Sequence, residues 1–365
     1  MIIDKIFHIA DVHIRNYQRH TEYTNVFKRL YKYIRENKTP NSIIYLAGDI
    51  VHQKTDLSPE LVQMVGKFFK SCADLCPTIL ICGNHDANLN NESRLDSLTP
   101  IVENLKHKKL FYWKDSGVYK ISPDSNISFA VFSVFDSISK WPSVKEIKND
   151  DIKIALHHGA VMGATTDMDH VIENDAVTVK NFKGFDYGLL GDIHKQQYLN
   201  DKKTIAYSSS LIQQNYGESI NRHGLIVWDI AKKTHEFVEI ENDIAYATFQ
   251  FENNILLTDK SYFDLLPKYL RVKIKHSNTD LELIHNFIDE LKQKHVFKEY
   301  SLRKYHTLSE AKHSDLSIGN VRDIEFQNQS LTEYLKNSTD EAAIDGCRYL
   351  NRKINSSLNT LEKNA

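Results

Sequence analysis

Lys5-Ile6-Phe7-His8-Ile9-Ala10 is an apolar run that empties directly into Asp11-Val12-His13. A segment of that length, rich in Ile and Phe, reads as a buried strand. Side chains alternate along an extended chain, so two residues at the spacing of Asp11 and His13 share a face and point a carboxylate and an imidazole at one spot. The pattern then repeats. Ser42 to Ala47 ends in Gly48-Asp49-Ile50-Val51-His52, Thr78 to Cys82 in Gly83-Asn84-His85-Asp86, Lys153 to Leu156 in His157-His158-Gly159, and Tyr187 to Leu190 in Gly191-Asp192-Ile193-His194. Polar residues just past the carboxyl ends of strands are where open α/β sheets build their sites, and here that happens five times.

A further strand is expected at Ile127 to Ser133, and helical spacing of apolar residues covers Asn25 to Arg35 and Pro59 to Cys72. Strands alternating with helices over the first 240 residues give a layered α/β domain. Beyond it the rhythm changes. Tyr269 to Lys275 and Glu299 to Tyr305 read as strands around an amphipathic helix at Asp280 to Lys294, a small βαβ-type unit within residues 241–325. The remaining 326–365 carries two short helical patterns, Leu331 to Lys336 and Glu341 to Leu358, the latter with Ala342, Ile344, Tyr349, Leu350, Ile354 and Leu358 apolar.

Composition narrows the class. With 46 basic and 48 acidic residues the formal net charge is -2, so no global field draws the chain onto nucleic acid or anionic membrane, and any DNA binding has to be local. Short basic clusters at Lys106, Lys108 and Lys109, at Lys202 and Lys203, and at Lys232 and Lys233 read as solvated loops by default. Cys72, Cys76, Cys82 and Cys347 form no CxxC pair and are expected as core thiols in a reducing compartment. The amino terminus lacks a signal-peptide pattern and no apolar run is long enough to span a bilayer, so a soluble intracellular protein without a membrane partner is expected. No GxSxG, GxxxxGK[ST] or glycine-rich dinucleotide fingerprint occurs, which disfavours serine nucleophiles, ATP hydrolysis and NAD chemistry.

One Asp-x-His is more often a surface pair or a cap than a site. Five such segments in this order are a different matter. Carboxylate, amide and imidazole donors together suit Mn²⁺, Fe²⁺ or Zn²⁺, while a structural zinc site would call for thiolates that are absent from these segments. His85 in its turn has a bland alternative, that it merely caps the turn.

The order DxH, GDxxH, GNHD, HHG and GxxH, each after a strand, resembles the calcineurin-like metallophosphoesterase superfamily over roughly residues 1 to 230. Finer features are similar to the SbcD and meiotic-recombination-eleven nuclease family: Gly48-Asp49-Ile50-Val51-His52 followed by Ser58-Pro59, Leu156-His157-His158-Gly159, and Phe185-Asp186-Tyr187-Gly188-Leu189-Leu190-Gly191-Asp192-Ile193-His194-Lys195. Tyr207-Ser208-Ser209-Ser210-Leu211 and His223-Gly224-Leu225-Ile226-Val227-Trp228 fit that family's closing strands. The resemblance implies a β-sandwich flanked by helices, a smaller βαβ-type capping domain that holds duplex DNA, and a helical C-terminal tail. It implies two divalent ions, with Mn²⁺ preferred. One would lie between Asp11, His13, Asp49 and His194, the other between Asp49, Asn84, His157 and Asp192, with Asp49 as the bridge. At the double histidine the family pattern favours His157, leaving His158 behind it or in the core. His85 would act as general acid or stabilise the transition state, and His52 would contact the nucleotide. The implied activity is endonuclease and exonuclease cleavage at double-stranded or single-stranded DNA ends in recombination and repair. The implied partners are an SbcC-type coiled-coil ATPase, docked partly through the C-terminal helices, and a second copy of the chain joined near Ser93 to Leu105.

Two departures stand out. Asp192 occupies a place where that family has His in a GHxH motif, which adds negative charge beside the second ion. Ser209 stands where Gly is usual, a matter of loop geometry. Two rival readings follow: a phosphatase or cyclic-nucleotide phosphodiesterase on the same fold, and a scaffold with weakened catalysis, for which Asp192 is the motive.

Overall fold

A computed structural model describes residues 2–91 and 94–305, together with position 331. Residues 1–303 form one compact unit, and a second begins at Lys304. Apart from position 331, the expected tail helices lie outside the described residues, as does Cys347.

The first sheet has the order β12-β11-β1-β2-β3-β4. Its strands are β1 (Lys5–Ile9), β2 (Ser42–Leu46), β3 (Thr78–Leu80), β4 (Leu110–Tyr112), β11 (Gly224–Asp229) and β12 (Thr234–Glu239). β1 to β4 run parallel, with β11 antiparallel beside β1. The second sheet has the order β5-β6-β7-β8-β10-β9. It comprises β5 (Gly117–Tyr119), β6 (Ile127–Phe132), β7 (Ile152–His158), β8 (Tyr187–Gly191), β9 (Gln197–Tyr198) and β10 (Ile205–Tyr207). Its inner strands β6, β7, β8 and β10 are parallel.

The two sheets face each other. Ile6, Ile43, Tyr45 and Ile79 from the first pack against Phe129, Val131, Ile154, Leu156 and Leu189 from the second. Strand alternation sends the other face of β1 and β2, with Phe7, Ile9, Ile44 and Leu46, onto α1 (His20–Asn37) and α2 (Pro59–Leu75). Both faces of the central strands are therefore buried, which is why they read as unbroken apolar runs. α2 starts where Ser58 caps it, the side chain accepting from the Leu61 N–H, with Pro59 at the first helical position. Cys72, Cys76 and Cys82 are buried free thiols, as expected.

A third sheet, β14-β13-β15-β16, comprises β13 (Ile244–Glu252), β14 (Ile255–Leu256), β15 (Tyr269–Ser277) and β16 (Val296–Lys304). The expected β15, helix and β16 are present, the helix as α4 (Leu281–Lys294) with Ile284, Ile288 and Leu291 on the sheet. β13, parallel to β15, was not foreseen. Its inward residues include Ala245 and Ala247, too small to mark an apolar face. No helix among the described residues is long and apolar enough to cross a membrane.

Candidate metal centre

Every segment picked out in the sequence leaves the sandwich at the same end, because the parallel strands of both sheets end there. Asp11 and His13 follow β1, Asp49 follows β2, Asn84 and His85 follow β3, His158 ends β7, and Asp192 and His194 follow β8. Backbone bonds tie the first two turns together, from Asp11 N–H to Gly48 C=O at 3.3 Å and from His13 N–H to Asp49 C=O at 2.9 Å. Asp11, His13, Asp49 and Asp192 all adopt positive φ, at 51°, 48°, 51° and 99°. Non-glycine residues pay for that conformation, and such outliers gather at sites where the fold over-determines the backbone. Gly83 is needed for close approach, since a Cβ there would lie 2.1 Å from Asp49 Oδ1.

Asp49 sits centrally and presents one oxygen to each side. Its Oδ2 lies 3.4 Å from His13 Nε2 and its Oδ1 3.2 Å from His158 Nε2. On the first side, His13 Nε2 and His194 Nε2 face each other at 3.0 Å, and Asp11 completes a cluster of donors within 4.8 Å. On the second, Asp11, Asp49 and His158 form a like cluster. Asp192 joins that side, its Oδ1 3.8 Å from His158 Nε2 and accepting from Asn84 Nδ2 at 3.1 Å.

Nδ1 of His158 donates to the Ala47 carbonyl at 2.7 Å, which turns Nε2 inward. That Nε2 has the Asp49 carboxylate before it, and Asn84 Oδ1 is buried with no hydrogen-bond partner. Unpaired buried polar atoms facing fully buried carboxylates are costly unless a cation joins them. The electrostatics agree. Burial pushes the Asp11 carboxyl up to about 7, against the pull of His194 and His158. At Asp49 burial acts the same way, but His158 and His13 overcome it and hold the carboxyl below its usual range. Burial opposes a proton on His158, yet Asp49 raises its affinity well above that of a free imidazole. A buried acidic cluster takes up positive charge, from an imidazolium proton or from divalent ions, and the donors present fit the latter.

One expectation is corrected by the geometry. His157 does not reach the centre. Its Nδ1 donates to the Phe132 carbonyl at 3.1 Å, its ring packs at a tilt between Trp141 and Phe182, and burial lowers its pKa to about 4. His158, on the opposite face of β7, takes the place expected for it. The remaining candidates converge: Asp11, His13, Asp49, Asn84, Asp192 and His194 line the centre, with His85 and His52 at its rim. His85 donates its backbone N–H to Asp49 Oδ1 at 2.9 Å and its Nδ1 to the His52 carbonyl at 2.8 Å. The rings of His85 and His13 are 4.8 Å apart, and His52 stacks over His85 at 5.7 Å.

Two buried carboxylates escaped the sequence reading. Asp86 accepts from Val51 N–H and Gly83 N–H, both at 3.0 Å, and so joins the second and third turns. Its place in Gly83-Asn84-His85-Asp86 was a visible signal. Glu218 accepts from His194 Nδ1 at 2.8 Å. It lies 24 residues from its partner, and only the fold reveals the pairing. Ser209, the second departure, has φ 86°, a value easier for glycine, and its hydroxyl donates to the Arg222 carbonyl at 2.7 Å.

Beside the centre His52, Gln53, Lys54, Thr55, Asn84, His85, Leu89 and Asn90 enclose an open cleft of about 660 Å³. The chain is 40% identical over 369 residues to an uncharacterized protein of Acanthamoeba polyphaga mimivirus, an alignment covering 96% of this chain and 26% of that relative. The chain thus spans about a quarter of the length of the curated relative it matches. Residues 4–207 match the calcineurin-like phosphoesterase family, whose domain contains every donor at the centre. By that match, over more than half its length, the chain belongs to the calcineurin-like phosphoesterases.

Proposed function

We propose that this phosphoesterase is a nuclease of the SbcD and meiotic-recombination-eleven type, cutting phosphodiester bonds at DNA ends. Asp11, His13, Asp49 and His194 would hold one divalent ion, and Asp49, Asn84, His158 and Asp192 the other. The observation that carries the two-ion reading is Asp49, with its two oxygens aimed at imidazoles on opposite sides. When bound, such an ion pair acidifies a bound water and neutralises charge that develops on the phosphate. Imidazole with carboxylate favours Mn²⁺ over Ca²⁺.

The chain supplies positioning and protons. His85 is fixed at two points, by its backbone to Asp49 and by Nδ1 to the His52 carbonyl, leaving Nε2 as the atom available to a substrate oxygen. That arrangement suits a group that protonates a leaving oxygen or binds a phosphate oxygen. His52 and Lys54 line the adjoining cleft, where a nucleotide would lie.

The third sheet favours DNA over a small phosphate ester. Burial, then Lys275 and Arg303, hold the Lys273 ammonium below its usual range, so three cations lie near one another on a sheet that also carries Glu299, paired with Arg271. A clustered charge of this kind suits a phosphate backbone. The partners implied are DNA ends, an SbcC-type ATPase and a second copy of the chain. α3 (Thr99–Leu105) occupies the segment expected to join two copies.

Purified protein with Mn²⁺ should cut linear duplex DNA and leave a phosphopeptide and a cyclic nucleotide unchanged. Intact DNA alongside turnover of either other substrate would reject the assignment. Asp192 favours a second reading, a weakened scaffold, because a carboxylate replaces the histidine of SbcD-type enzymes. Its oxygen nonetheless stands among the donors. His85→Ala separates the two: metal content should stay unchanged while cleavage falls by about 10²-fold or more. A mutant as fast as wild type would remove His85 from the chemistry.

A further inference from the structure

His194 is held from behind. Glu218 Oε1 accepts from His194 Nδ1 at 2.8 Å, which turns Nε2 toward His13. Glu218 is itself fixed by three further donors. Asn215 Nδ2 reaches Oε1 at 2.7 Å, and Oε2 accepts from the Gln214 N–H at 2.7 Å and the Ser210 hydroxyl at 3.4 Å. A carboxylate with this many donors, only 8% exposed, has little freedom to turn.

The loop that carries Glu218 is also tied to the third sheet. Gln213 pairs with the backbone of Tyr246 on β13 in both directions, its Oε1 accepting from the N–H at 2.8 Å and its Nε2 donating to the carbonyl at 3.0 Å. The same Nε2 donates to the Glu218 carbonyl at 3.0 Å. Tyr216 packs edge-on against Tyr246, and Lys273 of β15 lies over the Tyr216 ring at 4.0 Å. Gln214 meanwhile donates to the Val12 carbonyl at 3.3 Å, between Asp11 and His13. The loop from Ser210 to Glu218 therefore touches the third sheet through Gln213 and Tyr216, and the first ion's donors through Gln214 and Glu218.

We propose that Glu218 is a positioning residue for His194, and that Gln213 makes the setting of that imidazole depend on the third sheet. Carboxylates behind ligating histidines fix ring orientation and raise donor strength, and their loss costs about 10- to 100-fold in metal affinity. The inference rests on the two-ion reading above and adds the claim that one ion, not both, depends on this loop. A ligand that shifts the third sheet would act on that ion first.

Titration of the metal-free full chain with Mn²⁺ by calorimetry, and with Co²⁺ by visible absorption, tests this directly. Wild type should bind two ions. Glu218→Gln, which keeps the shape and removes the charge, should weaken one ion about 10- to 100-fold, leave the other unchanged and alter the Co²⁺ band of the weakened ion. His194→Ala should affect that same ion, identifying it. Gln213→Ala should weaken it too, by a smaller factor. Should Glu218→Gln fold poorly without metal, as circular dichroism would show, Asn215→Ala removes one restraint on Glu218 and should weaken the same ion. Glu218→Gln or Asn215→Ala binding both ions as wild type does, or losing both equally, would overturn the role of Glu218. An unchanged Gln213→Ala would overturn the link to the third sheet. Wild type taking up fewer than two ions would instead defeat the two-ion reading itself.

Discussion

Adjacent residues on a strand point to opposite faces, and β7 applies that rule to two histidines. Ile154 and Leu156 lie between the sheets, so His158 shares their side and meets Asp49, while Ala155 and His157 face outward into a second apolar cluster. His158→Ala should accordingly reduce bound metal from two ions to one. His157→Ala should keep both and cost about 2 kcal/mol or more through the cavity left beside Trp141. Metal analysis of the two mutants with their thermal midpoints checks both outcomes, and the reverse pattern would restore His157 to the centre. The sequence could not settle this choice. From Ile154 to Leu156 β7 is apolar on both faces, so the residues next to the pair do not mark which parity looks inward; Lys153, on the parity of His157, is the one outward signal. Asp11, His13, Asp49, Asn84 and His194 stood out because five turns, each after an apolar run, repeat carboxylate, amide and imidazole donors in one order, a regularity that solvated turns do not require.

His8 is a second residue whose chemistry can be read alone. It is fully buried between the sheets, its Nε2 donating to the Leu190 carbonyl at 3.0 Å, and burial lowers its pKa to about 3, with that bond acting in the opposite direction. The unfolded chain binds a proton near 6.5 that the folded one refuses. Its stabilising contribution is therefore complete above 6.5 and is lost as pH falls toward 3. Against His8→Gln, wild type should lose stability on acidification from pH 6.5 to 5 with an extra slope approaching about 1.4 kcal/mol per pH unit. Urea unfolding of both proteins across that window measures it; parallel curves would mean that His8 accepts a proton in place.

Among elements, the third sheet is joined to the sandwich by polar contacts more than by a shared apolar core. Arg271 on β15 donates from Nη1 to Glu22 Oε2 of α1 at 3.1 Å and from Nε to Glu299 of β16 at 3.0 Å, with the Tyr246 ring 4.9 Å from its guanidinium. Arg271 and Glu22 are nearly buried, so removing one leaves the other uncompensated. Arg271→Ala should cost about 3 kcal/mol, and Arg271→Lys should recover little, since an ammonium cannot span two carboxylates as a guanidinium does. The three tryptophans, Trp113, Trp141 and Trp228, all belong to the sandwich. In the mutant, far-UV circular dichroism should therefore begin to fall at lower urea than tryptophan fluorescence, while coincident transitions would show that the joint lies elsewhere. Legibility varied among the elements for physical reasons. The start of α2 carried Ser58-Pro59, a cap and a first-turn proline, and was placed correctly. α1 begins at His20, five residues before the expected Asn25, because its cap is Arg19 in a left-handed conformation whose side chain does not cap the helix backbone, a start without a sequence signature. β13 went unnoticed because alanines on its inward face hide the alternation.

At the scale of the whole molecule the centre is a joint between two sheets, since Asp11, His13, Asp49 and Asn84 leave the first and His158, Asp192 and His194 the second. An ion held by donors from both sheets is bound by the folded chain and scarcely by the unfolded one, so binding becomes folding stability. At a hundredfold excess over its dissociation constant each ion contributes about 2.7 kcal/mol. Two ions should then raise the thermal midpoint by about 10–20 °C, each kilocalorie per mole being worth about 2–4 °C in domains of 150–250 residues. Mn²⁺ should do this far better than Ca²⁺, whose preference for six to eight oxygen donors a centre built on imidazoles does not meet. Asp49→Asn separates this linkage from nonspecific ion effects. It keeps the volume, removes the charge shared by both sides, and should abolish most of the Mn²⁺-induced rise while lowering the metal-free midpoint, because the charge removed is the one that His158 and His13 hold when no ion is bound. Scanning calorimetry of both proteins with chelator and with each ion decides the matter: an equal Mn²⁺-induced rise in the mutant would show that Asp49 does not join the two sides.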